Sequence, residues 1–239
     1  MGRLHSYGLE WIDEDSLYQV TLKVIGGALE RKRRENKRFP PDMFTVVAQA
    51  VLTESSLSSS LEFDVLRSAN KTLSNAIGNW HQSVLGLAPK WENLGTQGGL
   101  LDLRMKAGCK SEKWGRPIVV EVKNRFNTIK KVDEKNVWDN LDRAARLENA
   151  VAYLFQIIPE TPERYDRPWK VSGRDERPNI RCCDGATAYD MVFEHNGALR
   201  ELSEVFPMLM NDVANNSAVM PEGFEESELE IAFRRCLPD

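Results

Sequence analysis

The chain has 239 residues, of which 41% are hydrophobic and 28% charged, with a formal net charge of −4. This ordinary globular composition excludes a largely disordered chain, and we expect one folded domain over residues 1–239. The net charge excludes a general electrostatic attraction to nucleic acid, so any such binding has to come from local clusters of Lys and Arg.

The start of the chain gives no targeting signal. Residues 1–15 lack the basic start, apolar centre and small-residue cleavage site of a secretory signal, and no apolar run reaches the roughly 20 residues needed to cross a bilayer. The four cysteines, with Cys182 and Cys183 adjacent, form neither a disulfide framework nor a zinc-ligand spacing. We therefore expect a soluble, cytoplasmic protein with reduced thiols and no membrane partner.

Residues 1–90 have mainly helical periodicity. Apolar residues recur three and four positions apart over residues 16–34, and a short helix is predicted over residues 42–52 after a Pro-Pro break. A serine-rich spacer then offers caps for a long helix from Leu61 to Leu85. The basic run 31–38 is typical of a solvated helix end, with phosphate binding as the alternative.

Strand-forming sequence begins after Trp91 and marks residues 91–160 as the predicted catalytic core. A Gly-containing entry and the stretch 100–105, followed by the β-branched stretch 117–123, predict a hairpin of two central strands. A helix is predicted over 132–150 and a strand over Val151 to Ile158. The C-terminal part, 161–239, starts with an ordered surface loop over 161–178, and a final strand and helices follow in 180–237.

The triplet Glu121-Val122-Lys123 is the candidate centre of the chemistry. Strand alternation puts Glu121 and Lys123 on one face and Val122 in the core, and Asp102 can lie near Glu121 if the two strands pair antiparallel. Two such carboxylates repel each other unless a cation lies between them, and Mg²⁺ accepts one or two carboxylates together with substrate phosphate. The pattern predicts hydrolysis of a phosphodiester, in which Lys123 orients the attacking water or stabilises the transition state.

Taken alone, a Glu-Val-Lys triplet is more often the polar face of an amphipathic strand. The Gly-containing entry, the Asp on the earlier strand, the His-Gln pair in the long helix and the downstream helix and strand together favour the catalytic interpretation.

The chain resembles type II restriction endonucleases with the PD-(D/E)xK core, in particular the group that cuts GGNCC and GGWCC sites. The resemblance rests on four stretches, of which the middle two are the more specific. They are 75–86, which contains His81 and Gln82, then 91–95 leading to Asp102, 121–128, and 184–199.

This resemblance implies an α/β fold with a mixed central sheet flanked by helices. It implies that Asp102 and Glu121 are metal ligands for Mg²⁺ and that Lys123 is the catalytic lysine. Leu101 occupies the place of the family's Pro before the first Asp. Gln82 lies where many relatives carry a helical Glu, and it is assigned an assisting role toward the metal-bound water.

Polar residues near the predicted site are candidates for DNA contact, with a solvated loop as the alternative. The first group follows the catalytic strand, and the second lies in or just after the polar loop. The candidates are Asn124, Arg125, Asn127 and Thr128, and Arg174, Arg177 and Arg181. His81 is interpreted as an ordinary packed or surface residue, not as a general base.

The function expected from these observations is Mg²⁺-dependent cleavage of double-stranded DNA at a short palindromic, G/C-rich site. A homodimer would match a palindrome, and a cognate DNA methyltransferase would act on the same site without necessarily binding the nuclease. Two alternatives stay open: a repair or recombination nuclease that recognises DNA structure, and a DNA-binding protein that has lost catalysis. The intact Asp102, Glu121 and Lys123 argue against the last.

Overall fold

A computed structural model describes residues 3–28, 30, 41–95, 101–215 and 231–238. The basic run 31–38 and the glycines Gly98 and Gly99 lie outside the described residues.

The N-terminal part is helical, as the periodicity predicted. Its elements are helix α1 (Glu14–Thr21), a π-helical segment (Leu22–Gly26), helix α2 (Met43–Leu52) and helix α3 (Leu57–Leu85). The predicted serine cap is present, because the Ser56 hydroxyl accepts a hydrogen bond from the Ser59 N–H. This cap starts α3 one turn before Leu61, where the periodicity placed the start.

A single six-stranded sheet forms the centre of the fold. Its strands are β1 (Trp91–Asn93), β2 (Leu103–Met105), β3 (Ile118–Arg125), β4 (Val151–Ile158), β5 (Asp166–Pro168) and β6 (Ile180–Asp184). They lie in the order β1-β2-β3-β4-β6-β5. The β2–β3 pair is antiparallel and β4 is parallel to both β3 and β6, so the predicted mixed sheet is confirmed.

Two short strands were not predicted. Strand β1 has three residues at one edge of the sheet, and β5 has three residues inside the stretch 161–178 that was interpreted as a loop. Three residues are too few to show the alternation by which strands are recognised. The interpretation of 161–178 as loop throughout was therefore wrong at 166–168.

Helices cover both faces of the sheet. Helix α4 (Glu134–Leu147) packs on one face, against residues that include Val119 and Leu154. The other face carries α1, α3, α5 (Gly185–Phe193) and α6 (Ala198–Asn215), packed around residues that include Val120 and Phe155. No helix in the described part of the chain is both long enough and apolar enough to cross a membrane.

The C-terminal end of α3 lies very close to the edge strand β1. A Cβ atom added at Gly86 would lie 2.6 Å from the Cβ atom of Asn93 and 3.2 Å from its backbone nitrogen. Only glycine permits this approach without a shift of the helix or the strand. The approach brings the last turn of α3, which carries Gln82, over the residues that precede β2.

Candidate active site

Asp102 lies one residue before β2 and is held by hydrogen bonds from three segments. Its N–H donates to the Val120 carbonyl at 2.9 Å, and its own carbonyl accepts from the Leu94 N–H at 2.9 Å and from Gln82 Nε2 at 3.1 Å. Its carboxylate atom Oδ2 accepts the Val122 N–H at 2.8 Å. The Asp102 side chain therefore takes a backbone donor of β3 and is fixed beside the Glu-Val-Lys triplet.

Glu121 and Lys123 share one face of β3, as strand alternation predicted. Lys123 Nζ donates to Glu121 Oε1 at 2.5 Å. Their side chains are 17% and 25% exposed, respectively, so both groups are half-buried and remain open to solvent. The structure thus brings Asp102, Glu121 and Lys123 together, at an accessible place on the sheet face that α4 covers in part.

The two carboxyl groups are electrostatically coupled. Burial raises the pKa of Glu121, and the charge of Asp102 raises it further. Burial also raises the pKa of Asp102, against the opposing effects of the Val122 N–H and the Lys123 ammonium group. Neighbouring carboxyl groups oppose each other's ionisation unless a cation lies between them.

This donor set suits a hard divalent cation. Two carboxylates in contact provide oxygen ligands, and Mg²⁺ commonly binds one or two carboxylates while keeping waters and substrate phosphate as its other ligands. Within the described residues no three His, Cys, Asp or Glu side chains come together as a metal cluster. The oxygens of Asp102 and Glu121 could hold such an ion together with water and substrate oxygens.

Gln82 contacts the site through its amide nitrogen. Nε2 donates to the Asp102 carbonyl at 3.1 Å and to Asn93 Oδ1 at 3.0 Å, and the Gln82 residue is 7% exposed. In this arrangement the amide group of Gln82 positions the backbone of Asp102. An assisting role toward a metal-bound water stays a prediction.

Asn93 was given no role from the sequence, although it joins Gln82 to the site. Its Oδ1 atom accepts from Gln82 Nε2 and, at 2.7 Å, from the Gly95 N–H. Gly95 has a positive φ of 66°. The available signal was an Asn followed closely by a glycine, shortly before the predicted hairpin.

His81 is packed in the core. Its Nδ1 atom lies 2.8 Å from the Tyr189 hydroxyl, and burial lowers its pKa to about 3. A histidine in these surroundings is neutral at physiological pH, which agrees with its interpretation as an ordinary packed residue.

The four DNA-contact candidates after the triplet fall in different surroundings. Arg125, Asn127 and Thr128 are exposed, and the Thr128 hydroxyl donates to the Arg125 carbonyl at 2.7 Å and so closes the turn after β3. Asn124 faces the opposite side of the sheet from Lys123, toward Gly78 of α3. Its Oδ1 atom is buried without a hydrogen-bond partner, beside an apolar cavity of about 370 Å³. The structure therefore does not bring Asn124 to the same surface as the other three.

The three candidate arginines of the C-terminal part all form ion pairs. Arg174 makes two contacts of 2.6 Å with Asp139, and Arg177 Nη1 lies 2.5 Å from Asp142 Oδ1. Arg181 Nε donates to Asp166 Oδ1 at 2.6 Å, and its side chain is 10% exposed. Arg174 and Arg177 lie at the surface next to α4, whereas Arg181 is largely enclosed.

Further basic residues that sequence reasoning did not single out follow β3. Lys130, Lys131 and Lys135 are exposed, like Arg125. Arg125 is the last residue of β3, Lys130 and Lys131 lie between β3 and α4, and Lys135 is the second residue of α4. We call these four residues the basic turn. Their proximity in sequence to Lys123 was the available signal, but a few lysines in a surface turn are common and indicate little without the site beside them.

Comparison with known proteins gives two results. The family model described as Eco47II restriction endonuclease matches residues 9–215 of this chain. The type II restriction enzyme Eco47II of Escherichia coli is 29% identical to it, over 83% of this chain and 85% of the relative's length. The family match spans every element from α1 to α6 and includes Asp102, Glu121 and Lys123.

Proposed function

Because this chain belongs to the Eco47II restriction endonuclease family, we propose that it is a type II, Mg²⁺-dependent endonuclease that cuts double-stranded DNA at a short palindromic, G/C-rich site resembling GGNCC. One observation carries the proposal beyond family membership. Asp102 and Glu121 lie close enough to interact electrostatically at an accessible place, with the ammonium group of Lys123 2.5 Å from Glu121. This arrangement supports the proposal of a PD-(D/E)xK nuclease centre.

The reaction is hydrolysis of a phosphodiester. A water oxygen forms a bond to phosphorus, and the bond from phosphorus to the leaving sugar oxygen breaks. Asp102 and Glu121 would hold Mg²⁺, which when bound would lower the pKa of a water and neutralise the charge that grows on the phosphate. Lys123 donates a hydrogen bond to the attacking water or to a phosphate oxygen. Val122, Gln82 and Leu94 keep Asp102 in place while this happens.

DNA approaches the site along the basic turn. Arg125 and the three exposed lysines of the turn offer positive charge close to Lys123, and Asn127 and Thr128 offer polar groups that can reach phosphate oxygens or base edges. Arg174, Arg177 and Arg181 are candidates for guanine contacts, since Arg pairs with guanine more often than any other side chain. To read a base, each has to leave the carboxylate that it pairs with in the absence of DNA.

The proposed assembly is a homodimer. A palindromic duplex presents the same half-site twice, and a two-fold symmetric protein matches it with one active site for each strand. A DNA methyltransferase that modifies the same sequence is the expected functional partner and need not bind the nuclease.

Digestion of a sequenced plasmid with the purified protein tests the proposal. With Mg²⁺ the protein should produce discrete fragments whose sequenced ends all map to one short palindrome, and EDTA should abolish the products. A smear without common ends would contradict site-specific cleavage. Absence of any cleavage with Mg²⁺, Mn²⁺ and several DNA sources would contradict nuclease activity.

A further inference from the structure

We propose that the apolar hairpin, residues 43–66, binds the same hairpin of a second copy of this chain. The hairpin consists of α2 and the first part of α3. Nine of the fourteen large hydrophobic residues that are exposed in the described part of the chain lie in it. They are Met43, Phe44, Val47, Val51, Leu52, Leu57, Phe63, Val65 and Leu66.

Helix α2 has a sequence suited to burial on more than one side. It contains no charged residue, and its main neighbour is α3, against which Val46 is buried. On its other side Phe44, Val47 and Val51 follow the three- and four-residue spacing of a helical stripe, and Phe44 is 91% exposed. A helix that is apolar around most of its circumference is stable in water only when a second surface covers it.

The size of the patch fits a dimer interface. The nine residues together expose on the order of 900 Å² per chain, distributed over more than one side of the hairpin, whereas the largest apolar patch on a typical monomer covers roughly 300–600 Å². A standard protein interface buries about 800 Å² on each partner. An isologous contact uses the same patch on both copies, so this single surface is sufficient to form a closed dimer.

The chemistry of the hairpin also argues against DNA as the occupant. DNA binding requires cations that neutralise phosphates, and α2 offers none. The flanking charges include the exposed carboxylates Glu54 and Glu62. A second copy is favoured for a further reason, which rests on the proposed function: cutting both strands of a duplex requires two active sites, and each chain has one.

The hairpin is connected to the active site by a rigid element. Helix α3 continues without a break from Phe63 to Gln82, a distance of about 30 Å along its axis. Because Gln82 Nε2 donates to the Asp102 carbonyl, pairing of two hairpins would fix the orientation of one site relative to the other.

The mass of the full chain in solution, measured by light scattering or sedimentation from about 1 to 50 µM, tests this proposal. We expect a dimer for the unmodified chain and a monomer for the double variant Phe44→Glu/Val51→Glu, since an isologous contact would bring the new charges together. Both positions are more than 70% exposed, so the monomer fold should survive, as circular dichroism and the unfolding midpoint will show. The matched control Leu147→Glu, 79% exposed at the end of α4, should remain dimeric.

Three outcomes would overturn the proposal: a monomeric unmodified chain at 50 µM, a hairpin variant that stays dimeric, or a mass that rises without a plateau, which indicates open association. The assay contains no DNA and is therefore independent of nuclease activity. If the unmodified chain is monomeric yet cuts at one sequence, the interface fails and the proposed function stands. If the chain is dimeric through this surface but never cuts DNA, the interface stands and the proposed function fails.

Discussion

Asp102 lies one residue before β2, yet its side chain accepts a backbone hydrogen bond from the neighbouring strand β3. The sequence predicted its proximity to Glu121 through antiparallel pairing, and the structure has β2 and β3 antiparallel with the charge of Asp102 raising the pKa of Glu121. The sequence did not predict that Asp102 Oδ2 accepts the Val122 N–H, because this hydrogen bond depends on the path of the backbone just before β2 begins at Leu103. The Val122 N–H, which would otherwise bond a strand carbonyl, instead fixes the side chain of Asp102.

Single charged residues were the hardest to interpret from sequence. Arg174 and Arg177 each pair with a carboxylate 35 residues away, and Arg181 with one 15 residues away. Partners at such separations follow no local period, so composition alone cannot distinguish a free arginine at a DNA surface from one held in an ion pair.

Asn93 offers a test of how Asp102 is positioned. Asn93→Ala removes the acceptor shared by Gln82 Nε2 and the Gly95 N–H, and because Asn93 and Gly95 are exposed we expect a loss of about 0.5–1.5 kcal/mol. The unfolding midpoint should fall by about 1–6 °C, and the single-turnover cleavage rate should fall at a temperature where the variant is fully folded. Asn93→Asp keeps an acceptor oxygen and should restore most of both quantities.

The matched control is Asn75→Ala, an exposed position on the same helix as Gln82, with an expected stability change within about 0.5 kcal/mol. If Asn93→Ala has the same cleavage rate and stability as Asn75→Ala, Asn93 does not contribute to positioning Asp102 through Gln82.

Long helices and strands with a regular apolar pattern were predicted from the sequence, whereas short strands were not. Strand β4 was predicted at the bounds observed, Val151–Ile158, because it is a long apolar run that ends at a proline. Helix α3 was predicted with its Ser cap one turn from the true start. The edge strands β1 and β5 were missed because three residues carry no period and their pairing is set by neighbours distant in sequence.

The junction of α3 and β1 provides the test at this scale. Gly86→Ala places a methyl group 2.6 Å from Asn93 Cβ, so the helix end and the strand must separate. We expect a loss of about 1–3 kcal/mol in the free energy of unfolding, as for other overpacked sites, and slower cleavage because Gln82 and Asn93 move with the two elements. Chemical denaturation and single-turnover kinetics measure both effects.

Gly27→Ala is the glycine control. Nothing lies within 4 Å of a Cβ atom there, and the backbone is helical at φ −63°. Alanine should therefore be neutral or stabilising by up to about 1 kcal/mol. Equal effects of the two substitutions would show that the close approach at Gly86 is not what constrains the site.

At the scale of the whole molecule, the net charge of −4 coexists with four exposed basic residues between positions 125 and 135. The basic turn lies immediately after the strand that carries Glu121 and Lys123, while the apolar hairpin lies at the far end of α3. DNA binding through local clusters of charge, expected from this composition, stays a prediction. The sequence did not identify the apolar hairpin. The pattern of residues 43–66 is that of ordinary amphipathic helices, and only the tertiary structure shows which side is exposed.

The most direct test of the active site is single-turnover cleavage by Lys123→Ala, at saturating enzyme and with a duplex that carries the mapped site. Removing a donor that stabilises a transition state typically lowers the rate by about 10²- to 10³-fold. We expect at least that loss, with the unfolding midpoint and DNA binding in Ca²⁺ largely unchanged, and a normal rate for Lys110→Ala, an exposed lysine away from the site. Cleavage by Lys123→Ala within a few-fold of the unmodified chain would contradict the assignment of Asp102, Glu121 and Lys123 as the catalytic centre.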